Sequence, residues 1–105
     1  MSKKTAEILK KARALLAKRG GWIQNVFART AKGKEVRYDN RAAASFCAWG
    51  ATARVSGGYS NPGIIALERV ARIKHLPVWQ DKPERTKREI LALFDRAIRS
   101  EMRRP

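Results

Sequence analysis

Asp39-Asn40-Arg41-Ala42-Ala43-Ala44-Ser45-Phe46-Cys47-Ala48-Trp49-Gly50-Ala51-Thr52-Ala53-Arg54-Val55 is the stretch on which the fold turns. Asp39 and Asn40 are helix-capping residue types. The small apolar residues after them spread round every side of a helix rather than along one stripe. The reading is a helix over about 41–55, central in the molecule and packed by neighbours on several sides. Arg41 and Arg54 are its only charges and stand near its ends, which suits burial. The uncharged part, Ala42 to Ala53, is about a dozen residues and too short to span a bilayer.

Residues 3–18 read as an amphipathic helix, with Ile8, Leu9, Ala12, Leu15 and Leu16 inside an arc of about 120°. Lys3, Lys10, Arg13 and Lys18 lie on the other side. Ser2 or Thr5 can cap its start, and Gly20-Gly21 supplies a left-handed stop. Between the two helices, Ala31-Lys32-Gly33-Lys34 is a turn signal with Val36 and Tyr38 resuming an extended pattern. A small β-hairpin centred on Lys32-Gly33 follows, with helix as the alternative for 22–29.

On the other side of the central stretch, Ser56–Pro62 is a loop with Asn61 as cap and Pro62 at the first helical position. A third helix spans about 62–75, and Leu76-Pro77-Val78-Trp79 is an extended link. The last helix starts near Pro83 or Thr86. Thr86 and Glu89 stand at capping-box spacing, and Ile90, Leu91, Leu93, Phe94, Ala97 and Ile98 form the buried stripe. The fold class is therefore mainly α: a compact four-helix single domain over 1–105, with a small β-hairpin or irregular insert after the first helix. The ends, about 1–3 and 101–105, are expected to fray. The expected core is Leu9, Leu16, Ile23, Phe27, Phe46, Cys47, Trp49, Ile65, Leu67, Val70, Trp79, Ile90, Leu91 and Phe94.

Charge carries the functional signal. Lys and Arg number 24 against 9 acids in 105 residues, a formal net charge of +15, and the sequence pI is about 11.2. A small soluble domain needs a net charge of only about 2–8 in magnitude, so the excess points to a polyanionic partner. It is concentrated, with seven basic residues against Glu7 in 1–19, a net of +6. Lys3, Lys10, Arg13 and Lys18 on the first helix and Arg29, Lys32, Lys34 and Arg37 around the hairpin are the phosphate-contact candidates. Arg85, Lys87 and Arg88 form a second group.

Sequence-specific reading of DNA has little support. The loop between the second and third helices is longer than a helix-turn-helix turn, and the third helix offers few base-reading amides. Trp22, Phe27, Tyr38 and Tyr59 are available for base stacking, though most fit the core better.

Catalysis finds no foothold. Cys47 sits among Phe46, Ala48 and Trp49, where a thiol packs as a small hydrophobe and stays protonated. His75 stands at the end of the third helix, suited to interact with its last carbonyls. One His and one Cys give no metal-ligand spacing, and no phosphate-binding glycine loop occurs. Asp81 is a cap candidate for the last helix, or an acceptor for an indole or an arginine. Asp95 and Arg99 are an i,i+4 pair. No enzyme, cofactor or metal is expected. A single cysteine and the absence of a signal-peptide pattern place the protein in the cytoplasm.

Trp22-Ile-Gln-Asn, Phe27-Ala-Arg, Cys47-Ala-Trp-Gly-Ala and Trp79-Gln-Asp, followed by Arg85-Thr, Glu89-Ile-Leu and Asp95-Arg-Ala-Ile, resemble an uncharacterised family of small bacterial and bacteriophage proteins. The likeness covers roughly residues 8–98. Gln80 stands where that family's pattern has asparagine. The resemblance implies a compact, mostly helical fold and a bacterial or phage source, and no activity. Two functions follow as expectations. The first is a non-enzymatic nucleic-acid-binding protein that reads backbone charge. The alternative is an accessory protein that docks on an acidic surface of a protein partner.

Overall fold

The stripe of Ile8, Leu9, Ala12 and Leu16 folds the N-terminal segment into a helix whose apolar side is fully covered. In a computed structural model describing residues 2–104, apart from the side chain of Ser2, this is α1 (Ser2–Ala17). The other elements are β1 (Ala28–Thr30), β2 (Ala43–Phe46), α2 (Ala48–Ser56), α3 (Pro62–Ala71), α4 (Leu76–Gln80) and α5 (Lys87–Arg103). The cap expected of Ser2, and the expected fraying of Met1 and Pro105, lie outside the described residues. Thr5 is buried inside α1 rather than ahead of it.

α1 is the central element. It runs antiparallel to α5 and also packs on α2 and α3. Leu9, Leu16, Leu67, Leu76, Ile90, Leu93 and Phe94 meet in one core, closed by the small residues Ala12, Ala48, Ala51 and Ala97. Gly20 takes the left-handed conformation expected after α1 (φ 70°). α5 begins as the sequence indicates. The Thr86 side chain accepts the Glu89 N–H, the Glu89 carboxylate accepts the Thr86 N–H, and the stripe from Ile90 to Ala97 is buried. α5 extends through Arg103, with Glu101 buried and paired to Arg69 at 3.2 Å.

The stretch 39–55 is not one helix. Asn40 folds into a turn, its side-chain oxygen accepting the Ala42 N–H at 2.8 Å and its carbonyl the Ala43 N–H at 3.0 Å. Residues 43–46 then extend and pair antiparallel with β1, with Ala28 opposite Phe46 and Arg29 opposite Ser45. Phe46 is also bonded on its other side. Its N–H donates to the Gly21 carbonyl at 2.8 Å, and its carbonyl accepts the Ile23 N–H at 3.0 Å. The helix starts only at α2, where Cys47 is the N-cap and its sulfur accepts the Gly50 N–H at 3.2 Å. Alanine's helix preference is a few tenths of a kcal/mol per residue, and strand pairing on both sides of Phe46 outweighs it. Gly50 is required here because a Cβ would lie 2.1 Å from the Phe27 carbonyl oxygen.

The turn at Lys32-Gly33 forms as expected. Thr30 and Lys34 close it, and Arg29 and Glu35 make an antiparallel bridge. The continuous partner of β1 is β2, however, so the hairpin is one side of an arrangement centred on β1.

The count of helices is five among the described residues, not four. α3 ends at Ala71, before the expected 75, because Arg72 turns left-handed (φ 58°) and its N–H returns to the Arg69 carbonyl. The expected link 76–79 is a helical turn, α4. Pro77 stands in its first turn, where no N–H is needed, and the Glu68 carboxylate accepts the Leu76 N–H at 2.9 Å. His75 therefore stands ahead of a helix start, makes no side-chain cap bond, and lies edge-on to Trp49.

Two expected core residues are outside. Phe27 is 39% exposed and Ile65 58% exposed, while Ile64 takes the buried place on α3. Ile23, Trp49, Val70, Trp79 and Leu91 are half-buried at the edge of the core.

Candidate nucleic-acid interface

The outer face of α1 carries the densest unpaired charge. Lys3 and Lys10 are exposed, and so are Lys4 and Lys11, which the sequence reading did not single out. At 100° per residue these four and Lys18 occupy an arc of about 120°, with Glu7 as the one acid among them. None of the five ammonium groups makes an ion pair among the described residues. Lys4, Lys11 and Lys18 form a column with steps of seven residues, about 10 Å each, or roughly three base-pair rises along a duplex axis. The signal that could have found Lys4 and Lys11 is this period of seven, which they share with Lys18.

Other expected phosphate ligands are engaged within the fold. Arg13 pairs with Asp95 of α5, Nε to Oδ1 at 2.7 Å and Nη2 to Oδ2 at 3.2 Å. Asp95 is thereby taken from its expected partner Arg99. Arg85 stacks on the Trp79 ring at 3.8 Å from its centroid and donates to the Trp79 carbonyl and to Glu89. The Lys87 ammonium donates to the Ala17 and Lys18 carbonyls at 3.2 and 2.7 Å, capping the C-terminus of α1 with positive charge. Arg37 pairs with Asp39 at 3.0 Å. The hydrogen bond and the charge of each hold the guanidinium above and the carboxyl below their ordinary values. Arg88 is exposed and unpaired.

The segment that follows α1 and the hairpin meet. A groove of about 410 Å³ lies between the end of α1 and the hairpin, lined by Arg19, Gly20, Arg29, Thr30, Gly33 and Ser45 among others. Arg29 Nη1 donates to the Gly33 carbonyl at 3.0 Å, which fixes its guanidinium. Arg19 is exposed with no side-chain partner among the described residues, and the sequence reading did not name it. Lys32 and Lys34 flank Gly33 at the tip of the turn, both exposed. Lys3 and Lys10 lie toward the far end of α1, beside Glu101 of α5 and Arg104, which follows it. The expected residues thus divide into a helical face, an end with the groove, and a set tied into the fold.

Asp81 does not cap α5. Its carboxylate accepts the Asn25 N–H at 2.9 Å and a bond from the Gln80 amide. Buried Gln80 accepts both the Trp22 indole N–H at 2.6 Å and the Ala48 N–H at 2.8 Å through its Oε1. Gln24 reaches the Gln80 and Lys82 carbonyls. This clasp ties residues 22–25, the start of α2 and α4 together. Nearby, the Cys47 thiol is pushed up to about 11, chiefly by burial and in small part by the charge of Asp81, against the bond from Gly50. A cleft of about 190 Å³ beside it is lined by Phe27, Glu35, Pro77 and Asp81. Phe27 packs against Tyr59 with centroids 4.7 Å apart and edge-on to Trp49 at 6.1 Å.

Among the described residues no group of three or more His, Cys, Asp or Glu could hold a metal ion, and no helix is long and apolar enough to cross a membrane. No curated protein and no solved structure matches the chain. The Trp22, Cys47 and Trp79 motifs are gathered around one buried glutamine, Gln80. Residues 1–100 match a family of unknown function, DUF6197, and the chain belongs to that family.

Proposed function

We propose that the protein is a non-enzymatic nucleic-acid-binding protein that recognises the phosphate backbone by charge. The observation that carries this reading is the outer face of α1, where five exposed lysines share about 120° with a single acid and no ion pair. Lysines left unpaired on a surface of net charge +15 repel one another, and a polyanion relieves that repulsion while releasing its own counterions. Base reading is not part of the proposal. Ile64 and Leu67 of α3 are buried, and the fold offers no helix studded with amides for a groove. We place the protein in the cytoplasm, where a lone thiol stays reduced.

Titration of a labelled duplex and of its single strand at several salt concentrations tests the reading. With about five phosphates engaged, log K falls with log salt at a slope of about −4 to −5 and is indifferent to sequence. No binding at low salt overturns it. That result would leave an acidic protein surface as the polyanion, with exposed Ile65 and Val78 available as apolar contacts.

A further inference from the structure

The groove at the end of α1 differs in charge from three other grooves on the surface. Glu7 lines the two along the first half of α1, joined in one by Glu101, and Glu35 and Asp81 line the cleft beside Cys47. The groove between α1 and the hairpin has two arginines in its wall and no acid. Glu35 is the cross-strand neighbour of Arg29, yet it lines the cleft with Phe27 and makes no ion pair among the described residues.

The wall carries hydrogen-bond donors of the kind a phosphate group accepts from. Arg29 is pinned by one nitrogen to the Gly33 carbonyl, which leaves the rest of its planar fork oriented and unused. Thr30 Oγ1 accepts the Lys34 N–H at 3.2 Å, so its own proton is left to donate. Gly20 and Gly33 both hold positive φ, and a Cβ at either would meet nothing within 4 Å, so the rim is open. Lys18, the last of the lysine column, immediately precedes Arg19 in the chain. The Lys87 ammonium on the Ala17 and Lys18 carbonyls cancels the negative end of the helix dipole, which would otherwise repel an anion here.

We propose that this groove seats a phosphodiester group of the bound strand between Arg19 and Arg29, so that a strand following Lys4, Lys11 and Lys18 along α1 is anchored at its end. The inference rests on the nucleic-acid reading and assigns the anchoring site within it. Arg19 is exposed and makes no side-chain hydrogen bond or ion pair among the described residues, so Arg19→Ala is expected to remove the anchor and leave the structure intact. Arg99→Ala, on the exposed side of α5, changes net charge equally and serves as the control.

Binding of the labelled duplex and single strand is measured across salt for the unaltered protein and both variants. Arg19→Ala is expected to bind about tenfold more weakly at moderate salt and to flatten the slope by about one, while Arg99→Ala changes affinity less than about twofold. Arg29→Lys, which keeps the charge and loses the fork, should weaken binding as well. In parallel, inorganic pyrophosphate is titrated while the amide resonances of Gly20, Gly33 and Gly58 are followed. The first two should move and Gly58 should not. Binding by the unaltered protein with Arg19→Ala indistinguishable from Arg99→Ala overturns the anchor and leaves the nucleic-acid reading standing. Absence of binding by the unaltered protein at low salt overturns both.

Discussion

Gln80 is 1% exposed, and its one carbonyl oxygen satisfies two N–H groups from separate parts of the chain. Truncating it leaves the Trp22 indole and the Ala48 amide without an acceptor in a place water reaches poorly. Gln80→Ala should cost about 2–6 kcal/mol, at about 1–3 kcal/mol for each of the two orphaned donors. For a domain of this size that lowers Tm by roughly 10 °C or more in thermal denaturation. A fall of only a degree or two would mean the clasp is ornamental. Cys47 makes the opposite kind of statement, since its environment suppresses reactivity. With the folded thiol near 11 against 9.0 for a free one, the unfolded chain ionises first as pH rises. The thiol's contribution to stability is then complete below pH 9 and lost toward pH 11. Alkylation by iodoacetamide at neutral pH should be slow in the native protein and fast after unfolding. Rapid native labelling, abolished by His75→Ala, would reveal a catalytic pair. At this scale the sequence was legible where a residue type has one role, as with the Thr86–Glu89 box and buried Cys47. It was not legible where neighbours compete for one place: Ile64 and Ile65 are the same residue type in adjacent positions, and only the angle at which α3 meets α1 decides which is covered.

Elements were readable when their own residues held the stop and start signals. α1, α5 and the Asn61-Pro62 entry to α3 appear where the pattern puts them. β2 is different because its cause lies elsewhere: nothing within Ala43–Phe46 asks for a strand, and the demand comes from the open backbone of β1 and of Gly21–Ile23. α4 was missed because its first-turn partner, the Glu68 carboxylate, comes from the preceding helix. The candidate site divides in the same way, since α1's face could be derived from period alone, whereas Arg19's place opposite Arg29 depends on how the hairpin folds back. The end of α3 offers a direct test of element energetics. Arg72 holds a left-handed conformation that L residues other than glycine adopt at a cost of roughly 1–2 kcal/mol. Arg72→Gly should therefore stabilise the protein by about 0.5–1 kcal/mol after the added flexibility of the unfolded chain is subtracted. Arg72→Ala, losing the same charge without gaining the freedom, should not. Equal Tm values for the two variants would show that charge, not conformation, is the penalty there.

For the molecule as a whole, self-repulsion competes with five ion pairs among the described residues, most of them at the surface. Exposed pairs contribute about 0.2–1 kcal/mol each, so the net charge of +15 is the larger influence. Raising sodium chloride from about 10 mM to 300 mM shortens the screening length from about 30 Å to below 10 Å. Tm should rise with it, and a fall would mean the pairs outweigh the repulsion. The antiparallel seating of α1 on α5 has a different consequence, in time. Arg13 and Asp95 are 82 positions apart in the chain, and Lys87 stands 70 positions beyond the Ala17 carbonyl it caps. A ribosome adding about 5–20 residues per second therefore leaves the α5-facing side of α1 uncovered for roughly 4–16 seconds before the helix that shields it has been made.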